Sequence, residues 1–541
     1  MRRSRVAIGS VIGCVLAVLA HHDVLGYWFT GDDTIPLIET SRVTSGQDLV
    51  AVFTSPLLRG TRFAAEFAAF YRPLANLSYA FDFWMWGLDP FGYHLTDLFL
   101  HATAAGLVVA FVSTATDDDL AGLLAGCLFA IHPITAEIVP IPARRHDVLA
   151  TVFLLSSLLL LLKGRDLSDE STRRYLGGSV LAYLFALASK EVAMILPGLL
   201  AAWLLLAAVP SVTDGDADIG SELRDGAKTL APYVLVTFGY LVVRIRLLGG
   251  IGGYRQTPEI TPEALGTVLA DYVISLVYPV DILGVVPDTD AALVSIVLLA
   301  SAAVVVGGTA YAAFRAGGLR RLLASRYGRL VGFAGAWLMA HVPLFLMSPG
   351  RYSARHGYVS LVPFAALTAV ALVVAGRELR SSDSTIDVGA GSVAVVAGLL
   401  VVSLLAVSPL IHPYDGWKCA GRISESALEG AADGAGDLPS NAVIAILGLP
   451  TDVDRPPSTA EPKVKTVSYF RSYTVASWIR LQHPDSSVAT YPIGPPIEID
   501  GGAEVTANVV RLEDRRFPRL FLEYESQSPR CLSAASSEAN P

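Results

Sequence analysis

Charge is scarce in this 541-residue sequence: 16% of its residues are Asp, Glu, Lys or Arg, against 53% that are apolar. A soluble globular domain carries about a quarter charged residues, so a fully solvated fold is excluded. The mean hydropathy of +0.51 requires most of the chain to lie in lipid. A basic excess is also missing, since 40 Lys and Arg stand against 49 Asp and Glu for a net charge of -9. That balance argues against a nucleic-acid partner. Only four cysteines occur. Cys14 and Cys127 sit in apolar runs, and Cys419 and Cys531 bracket a polar C-terminal region, where one disulfide could form in an oxidising compartment but no framework could. No 34-residue repeat and no phosphate-binding glycine loop after a strand can be found, which sets aside a repeat array and a nucleotide site.

What the chain does have is long apolar runs. The N-terminus reads Arg2, Arg3, Arg5, then apolar residues from Val6 to Ala20. Signal peptides look like this, but apolar residues resume at Val24 to Phe29 and lengthen the run toward the roughly 20 residues of a span. The expectation is an uncleaved first span. Further runs at about 94–115, 119–137, 147–163, 174–189, 191–209, 229–248, 291–314, 330–348, 355–376 and 391–411 bring the total to about eleven. A further segment, 264–286, is interrupted by Asp271, Pro279 and Asp281. Counting it as a crossing would put the loop with Arg315, Arg320, Arg321, Arg326 and Arg329 outside, against the positive-inside rule. Reading it as re-entrant keeps that loop, the N-terminus, the loop with Lys163 and Arg165, and the loop with Arg377 and Arg380 all cytoplasmic. Outside then lie a long first loop at 26–93 and the tail after 411. The tail's runs Ala442 to Leu447, Lys465 to Tyr469, Val505 to Leu512 and Leu520 to Tyr524 alternate between Pro and Gly clusters as strands do.

Several polar groups in the external segments suit chemistry. Asp32 and Asp33 follow the aromatic Tyr27-Trp28-Phe29 at the membrane surface. Adjacent carboxylates raise each other's pKa and so suit a general base, although a solvated turn or a helix cap would use the same pair. Clustered aromatics from Tyr71 to Trp86 fit an amphipathic helix in the interface. His94, Asp97 and His101 fall at i, i+3 and i+7 on one face, suited to interhelical hydrogen bonds or, less readily, to a metal. Then come His132-Pro133 with Glu137, and Arg144-Arg145-His146-Asp147 at an external helix start. Arginines there can grip a phosphate bidentately or merely anchor the helix at the interface. Lys190, Arg244, Arg351, Arg355 and the nearby Tyr358 add to the same external side. Acids in one external loop and cations in at least three others make a polar site facing outward, as a charged lipid headgroup requires.

The stretches YRPLANLSYAFDFWMWGLDPFGYHLTDLFLHA, LFAIHPITAEIVPIPARRHDVL, ASKEVAMILPGLL and ARHGYVSLVPF carry a resemblance. They resemble the membrane region of the transmembrane and tetratricopeptide O-mannosyltransferases and, more broadly, the multi-span GT-C glycosyltransferases that use dolichyl-phosphate sugars. The likeness covers roughly residues 20 to 375. It implies a GT-C-like α-helical polytopic domain over 1–411, followed here by a small β-containing extracytoplasmic domain over 412–541 in place of the family's helical repeats. It also implies an inverting transfer with Asp32 or Asp33 as base. By the same resemblance, His132, Pro133 and Glu137 match the family's His-Pro and acidic element, Arg145, His146 and Asp147 its Arg-Lys-Asp element, Ser189 and Lys190 its Ser-Lys element, and Arg355 and Tyr358 its arginine before an outer span start. His146 stands where the family has lysine, so a permanent charge becomes pH-dependent.

The function expected from this is transfer of a hexose, mannose foremost, from a dolichyl- or polyprenyl-phosphate donor to a protein or glycan hydroxyl on the extracytoplasmic face of an archaeal or bacterial cell membrane. No cofactor is required, no metal site is assigned, and a divalent cation is left open. A transporter or flippase of a polyprenyl-linked or anionic substrate would use similar cations, but would place them at the bilayer midplane between repeated halves. A purely structural membrane protein would not need them.

Overall fold

The structure is a computed structural model that describes residues 2–31, 33–61, 63–164, 169–214, 219–255, 260–277, 325–347 and 354–381, with short stretches between 398 and 523. Asp32, Arg351, Cys419, Cys531, the expected span at 291–314, most of that at 391–411 and the second half of the segment 264–286 lie outside the described residues. Two compact units are present. Unit 1 comprises Met1–His22, Asp97–Val139 and Arg145–Pro413; unit 2 comprises Asp23–Thr96, Pro140–Arg144 and Tyr414–Pro541.

Seven helical segments among the described residues are long and apolar enough to cross a membrane: Arg2–Gly26, Pro90–Thr116, Asp119–Glu137, Pro142–Gly164, Arg224–Leu248, Arg326–Leu346 and Ala354–Arg377. Glu191–Leu206 is a shorter apolar helix. The helices are α1 (Arg2–His21), α2 (Thr34–Ser41), α3 (Gly46–Thr54), α4 (Pro73–Trp86), α5 (Pro90–Thr116), α6 (Asp119–Ile131), α7 (Arg145–Gly164), α8 (Asp169–Ser189), α9 (Leu196–Asp214), α10 (Ile219–Leu248), α11 (Pro262–Val277), α12 (Arg326–Leu346), α13 (Tyr358–Ser381) and α14 (Ser472–Gln482).

In unit 1 small residues let the first helices close on each other, which is how helices associate where lipid removes the hydrophobic drive. Gly9 and Gly13 of α1 face Val109 of α5, and Gly106 of α5 faces Cys14. Ser10 Oγ donates to the Gly106 carbonyl at 2.9 Å. Gly122 and Gly126 bring α6 against α5; a Cβ on Gly122 would lie 2.6 Å from the Val109 carbonyl oxygen. Backbone cannot retreat as a flexible side chain can. Gly122→Ala is therefore expected to destabilise unit 1 by about 1–3 kcal/mol, whereas Gly239→Ala in α10, with nothing within 4 Å, leaves the melting temperature in detergent unchanged. Equal melting of the two variants would contradict this packing.

Chain alternation sorts the polar groups of unit 1 to two ends. At one end Arg2 pairs with Asp117, and Asp118 caps α6 through the Leu120 and Ala121 N–H groups (3.1 and 3.3 Å). Asp118 also accepts from Tyr327 (2.5 Å) and meets Arg377 at 2.6 Å. Burial works to raise the Asp118 carboxyl, but hydrogen bonds from Tyr327, the Ala121 N–H and Arg377 outweigh it and hold it below the usual carboxylate range. The opposite end carries the C-terminus of α6 and the starts of α7 and α13.

Unit 2 contains α2, α3 and α4. A capping box at Ser45 and Asp48 starts α3; the Thr44 hydroxyl, followed by the Thr44 N–H and the Ser45 hydroxyl, holds the exposed Asp48 carboxyl at about 2. Pro73 opens α4, whose Phe81, Trp84 and Met85 are exposed. Farther along, strands β1 (Val443–Leu447), β4 (Ala489–Pro492) and β5 (Arg519–Glu523) form a parallel sheet in the order β4-β1-β5, and β2 (Asp452–Val453) pairs antiparallel with β3 (Val467–Ser468). The all-apolar Val-Ile-Ala-Ile-Leu of β1 suits a central parallel strand. Between β1 and β4 runs α14, a helix that local sequence hides. Its Thr474, Val475, Trp478 and Ile479 favour strands intrinsically, yet burial of Val475, Trp478 and Ile479 at helical spacing decides the outcome.

Candidate functional site

The acidic turn is fixed from both sides within unit 2. Gly31 has φ +84°, and a Cβ there would come 2.6 Å from Ile141 Cγ2, so glycine is required. Thr30 Oγ1 donates to the Pro140 carbonyl at 2.5 Å, and Thr34 Oγ1 accepts the Ala143 N–H at 3.3 Å. From α4, Tyr79 donates to the Pro142 carbonyl at 2.7 Å. The turn holding Asp33 is thus fastened to Pro140–Arg144, the segment that ends in the half-buried Arg144. Asp33 stands at the N-cap position of α2, but its side chain makes no capping hydrogen bond. The helix-cap use of this carboxylate is not realised.

Unit 2 also supplies contacts that the sequence did not announce. Glu39 of α2 receives Arg480 of α14 bidentately, with Nε at 2.5 Å and Nη2 at 2.8 Å. The Trp478 ring meets Trp28 and Phe29 edge-on at 5.2 and 6.5 Å. Part of the tail therefore packs against α2 and the aromatic residues that precede it. His94 is buried and approaches the Trp28 carbonyl at 3.4 Å, with the Tyr27 ring edge-on at 6.4 Å.

In unit 1 two aspartates organise the cations. Arg145 Nε donates to Asp97 Oδ1 at 2.5 Å, with side chains 0% and 3% exposed. Asp147 takes Lys190 Nζ at 2.5 Å on one oxygen and His146 Nε2 at 3.3 Å on the other. These pairings join α5, α7 and the end of α8, residues separated by 48 and 43 positions. Two cations against two carboxylates carry no net charge, so added positive charge at this end comes from elsewhere. Arg355, half-buried in the turn Ala354–Gly357, has no carboxylate partner among the described residues. Protonation of His146 would add a second charge.

The remaining candidates are held structurally. His132 accepts the Ile134 N–H on Nδ1 (3.2 Å), which leaves Nε2–H to donate to the Leu276 carbonyl at 2.9 Å. Glu137 closes the short turn after it and is half-buried. Arg244 donates to the Ile251 carbonyl (2.5 Å) and to Tyr240 (3.0 Å), and lies 3.7 Å from Glu191. Tyr358 lies 2.8 Å from His101 Nδ1, while His101 Nε2 and His21 Nε2 each reach the Ala130 carbonyl at 3.2 Å. With Nε2–H on His101, Nδ1 accepts the Tyr358 hydroxyl. His94, Asp97 and His101 thus serve separate partners. His21, Glu39 and Arg480 could not be singled out in the sequence; only pairings distant in the chain give them meaning.

No family model matches the chain. Human protein O-mannosyl-transferase TMTC2 is 38% identical over 105 residues, 19% of this chain and 13% of that protein. The chain is similar to the protein O-mannosyl-transferases. Tmtc2 of Drosophila melanogaster is 29% identical over 198 residues, 36% of this chain and 21% of that protein. The likeness therefore spans roughly an eighth to a fifth of the length of these transferases. Among solved structures, ArnT from Cupriavidus metallidurans bound to undecaprenyl phosphate aligns over 90% of this chain and 85% of its own, at 15% identity and a TM-score of 0.47. Archaeal oligosaccharyltransferase AglB from Archaeoglobus fulgidus, in complex with an inhibitory peptide and a dolichol-phosphate, aligns over 90% and 64% at 12% identity and 0.46. Both TM-scores lie under one half.

Proposed function

We propose that the chain is an inverting glycosyltransferase that moves a hexose, mannose foremost, from a dolichyl- or polyprenyl-phosphate donor to a protein or glycan hydroxyl on the extracytoplasmic face. The observation that carries this reading is the cation set of unit 1, the buried Arg145 with the part-buried Lys190 and the half-buried Arg355, in a chain similar to O-mannosyl-transferases. Intramembrane ionisable groups cost too much to be kept without use. The reading includes a transmembrane domain over 1–411 with eleven spans and a re-entrant 264–286, an extracytoplasmic β-containing domain over 412–541, and an archaeal or bacterial cell membrane.

In the step proposed, Asp32 or Asp33 takes the acceptor hydroxyl proton and the freed oxygen attacks the anomeric carbon. The bond from that carbon to the phosphate oxygen breaks, and its electron pair leaves on the polyprenyl phosphate. That group gains a negative charge as it departs, and cations pre-placed for it lower the barrier. Arg355 is the first of them, because among the described residues no carboxylate has to release it; Arg145, Lys190 and Arg144 add to it, and Arg351 belongs to the same set by sequence.

Titration of dolichyl-phosphate-mannose against purified wild type and Arg355→Ala tests the donor site: about tenfold or greater loss of affinity is expected, and equal affinity would remove Arg355 from it. His146→Lys replaces a conditional charge by a permanent one, and should tighten binding of dolichyl-phosphate-mannose by about tenfold if that side chain faces the phosphate. Unchanged affinity would show that His146 does not face the phosphate.

A further inference from the structure

Helix α12 carries a stripe at four-residue spacing, Phe333, Trp337, His341 and Phe345, whose side chains are all buried within unit 1. Two polar atoms on that stripe have nothing to bond among the described residues. Trp337 is 1% exposed and its Nε1–H has no acceptor there; His341 is 0% exposed and its Nε2 has no partner there. His341 Nδ1 lies 3.0 Å from the Trp337 carbonyl, so Nδ1 carries the proton and Nε2 presents a bare lone pair. A buried polar group without a partner is costly in any fold and more so at membrane depth. Two such atoms one helical turn apart invite a ligand that can satisfy both.

Chemistry narrows what that is. An anion such as phosphate could accept from Trp337 but would oppose the lone pair of His341. An ammonium could serve His341 but not Trp337. A hydroxyl does both, accepting the indole N–H and donating to the imidazole nitrogen. The surroundings indicate which hydroxyl. Lys190 is within electrostatic reach of His341. His341 also stacks on Phe345 at 5.8 Å, and Phe345 stacks on His356 at 6.3 Å, the residue next to Arg355. One cation proposed to hold the donor phosphate, Lys190, thus reaches His341, and the turn that carries Arg355 reaches the same stripe through Phe345 and His356; a sugar is joined directly to that phosphate.

We propose that Trp337 and His341 bind hydroxyl groups of the hexose carried by the polyprenyl phosphate, and so help to select the sugar. The assignment rests on the transferase reading above. The test uses full-length protein in detergent, with dolichyl phosphate and dolichyl-phosphate-mannose as separate probes, and wild type, Trp337→Phe, His341→Phe and His341→Gln. The Phe variants should lose about tenfold in affinity for the mannose-bearing lipid, as for one lost hydrogen bond, with affinity for bare dolichyl phosphate unchanged; His341→Gln, which keeps an acceptor, should recover part. The readout is the ratio of the two lipid affinities, because a merely structural pair would lower the melting temperature and both affinities together and leave that ratio unchanged. If the Phe variants keep the wild-type preference for the mannose-bearing lipid, the subsite is wrong and the two atoms are satisfied by water or acceptor, while the transferase reading stands. If wild type binds neither lipid, the transferase reading fails and takes this assignment with it.

Discussion

Replacing Asp97 by Ala is expected to abolish most of the folded protein, with a loss of about 3–5 kcal/mol. The reason is the environment of its partner. Arg145 is fully buried and donates to Asp97 at 2.5 Å, so removing the carboxylate strands a guanidinium that cannot deprotonate. A paired buried charge adds little net stability; an unpaired one is strongly unfavourable. The double variant Asp97→Ala, Arg145→Met should therefore regain much of the folded fraction, because neither charge is left. If Arg145 serves the donor phosphate, that rescued protein still has no transferase activity. Monodispersity and melting temperature measure the first effect, and turnover the second. A single variant as stable as wild type would mean the pair is not formed as described.

The second large effect concerns the base. One of Asp32→Asn and Asp33→Asn should reduce turnover by about 10²–10⁴-fold, the usual contribution of a general base, with expression and donor affinity near wild type. Asparagine keeps the shape and loses the basicity. The other variant should stay within a few-fold, since only one carboxylate can take the proton. Asp33 makes no capping bond to α2, and Thr30, Thr34 and Tyr79 fasten the turn to Pro140–Arg144. Unchanged expression and melting temperature in the inactive variant would separate loss of the base from a collapsed turn. Full activity in both variants would remove the acid from the mechanism.

Much of the helical membrane character was legible because an apolar run near 20 residues matches the thickness of a bilayer and exceeds what most soluble cores use. The runs beginning near 94, 119, 147, 229 and 355 fall within helices long enough to cross a bilayer, and the run 330–348 overlaps a sixth, Arg326–Leu346. Concentration of cations and acids in particular connections was legible too. Partner choice was not. Helices apolar on nearly every face give no periodicity from which to read their neighbours, so the pairs Asp97 with Arg145 and Asp147 with Lys190, each more than 40 residues apart, emerge only from packing. Sequence showed Arg145 and Lys190 as cations open to a phosphate; in the fold each is already engaged by an aspartate, and Arg355 becomes the more available one. The α14 helix was hidden by its β-branched and aromatic content. Trp337 and His341 were hidden for the opposite reason, being apolar-looking residues within an apolar run whose unbonded atoms only burial reveals.

The most direct test of the account is transfer of radiolabelled mannose from dolichyl phosphate to acid-stable, protease-sensitive or glycan-borne product, using membranes that contain wild type, Asp32→Asn or Asp33→Asn at equal levels. The account predicts labelled product with wild type and its loss in one of the two variants. Absence of product from any donor, with labelled lipid instead crossing sealed vesicles that contain the protein, would contradict it and make the chain a carrier.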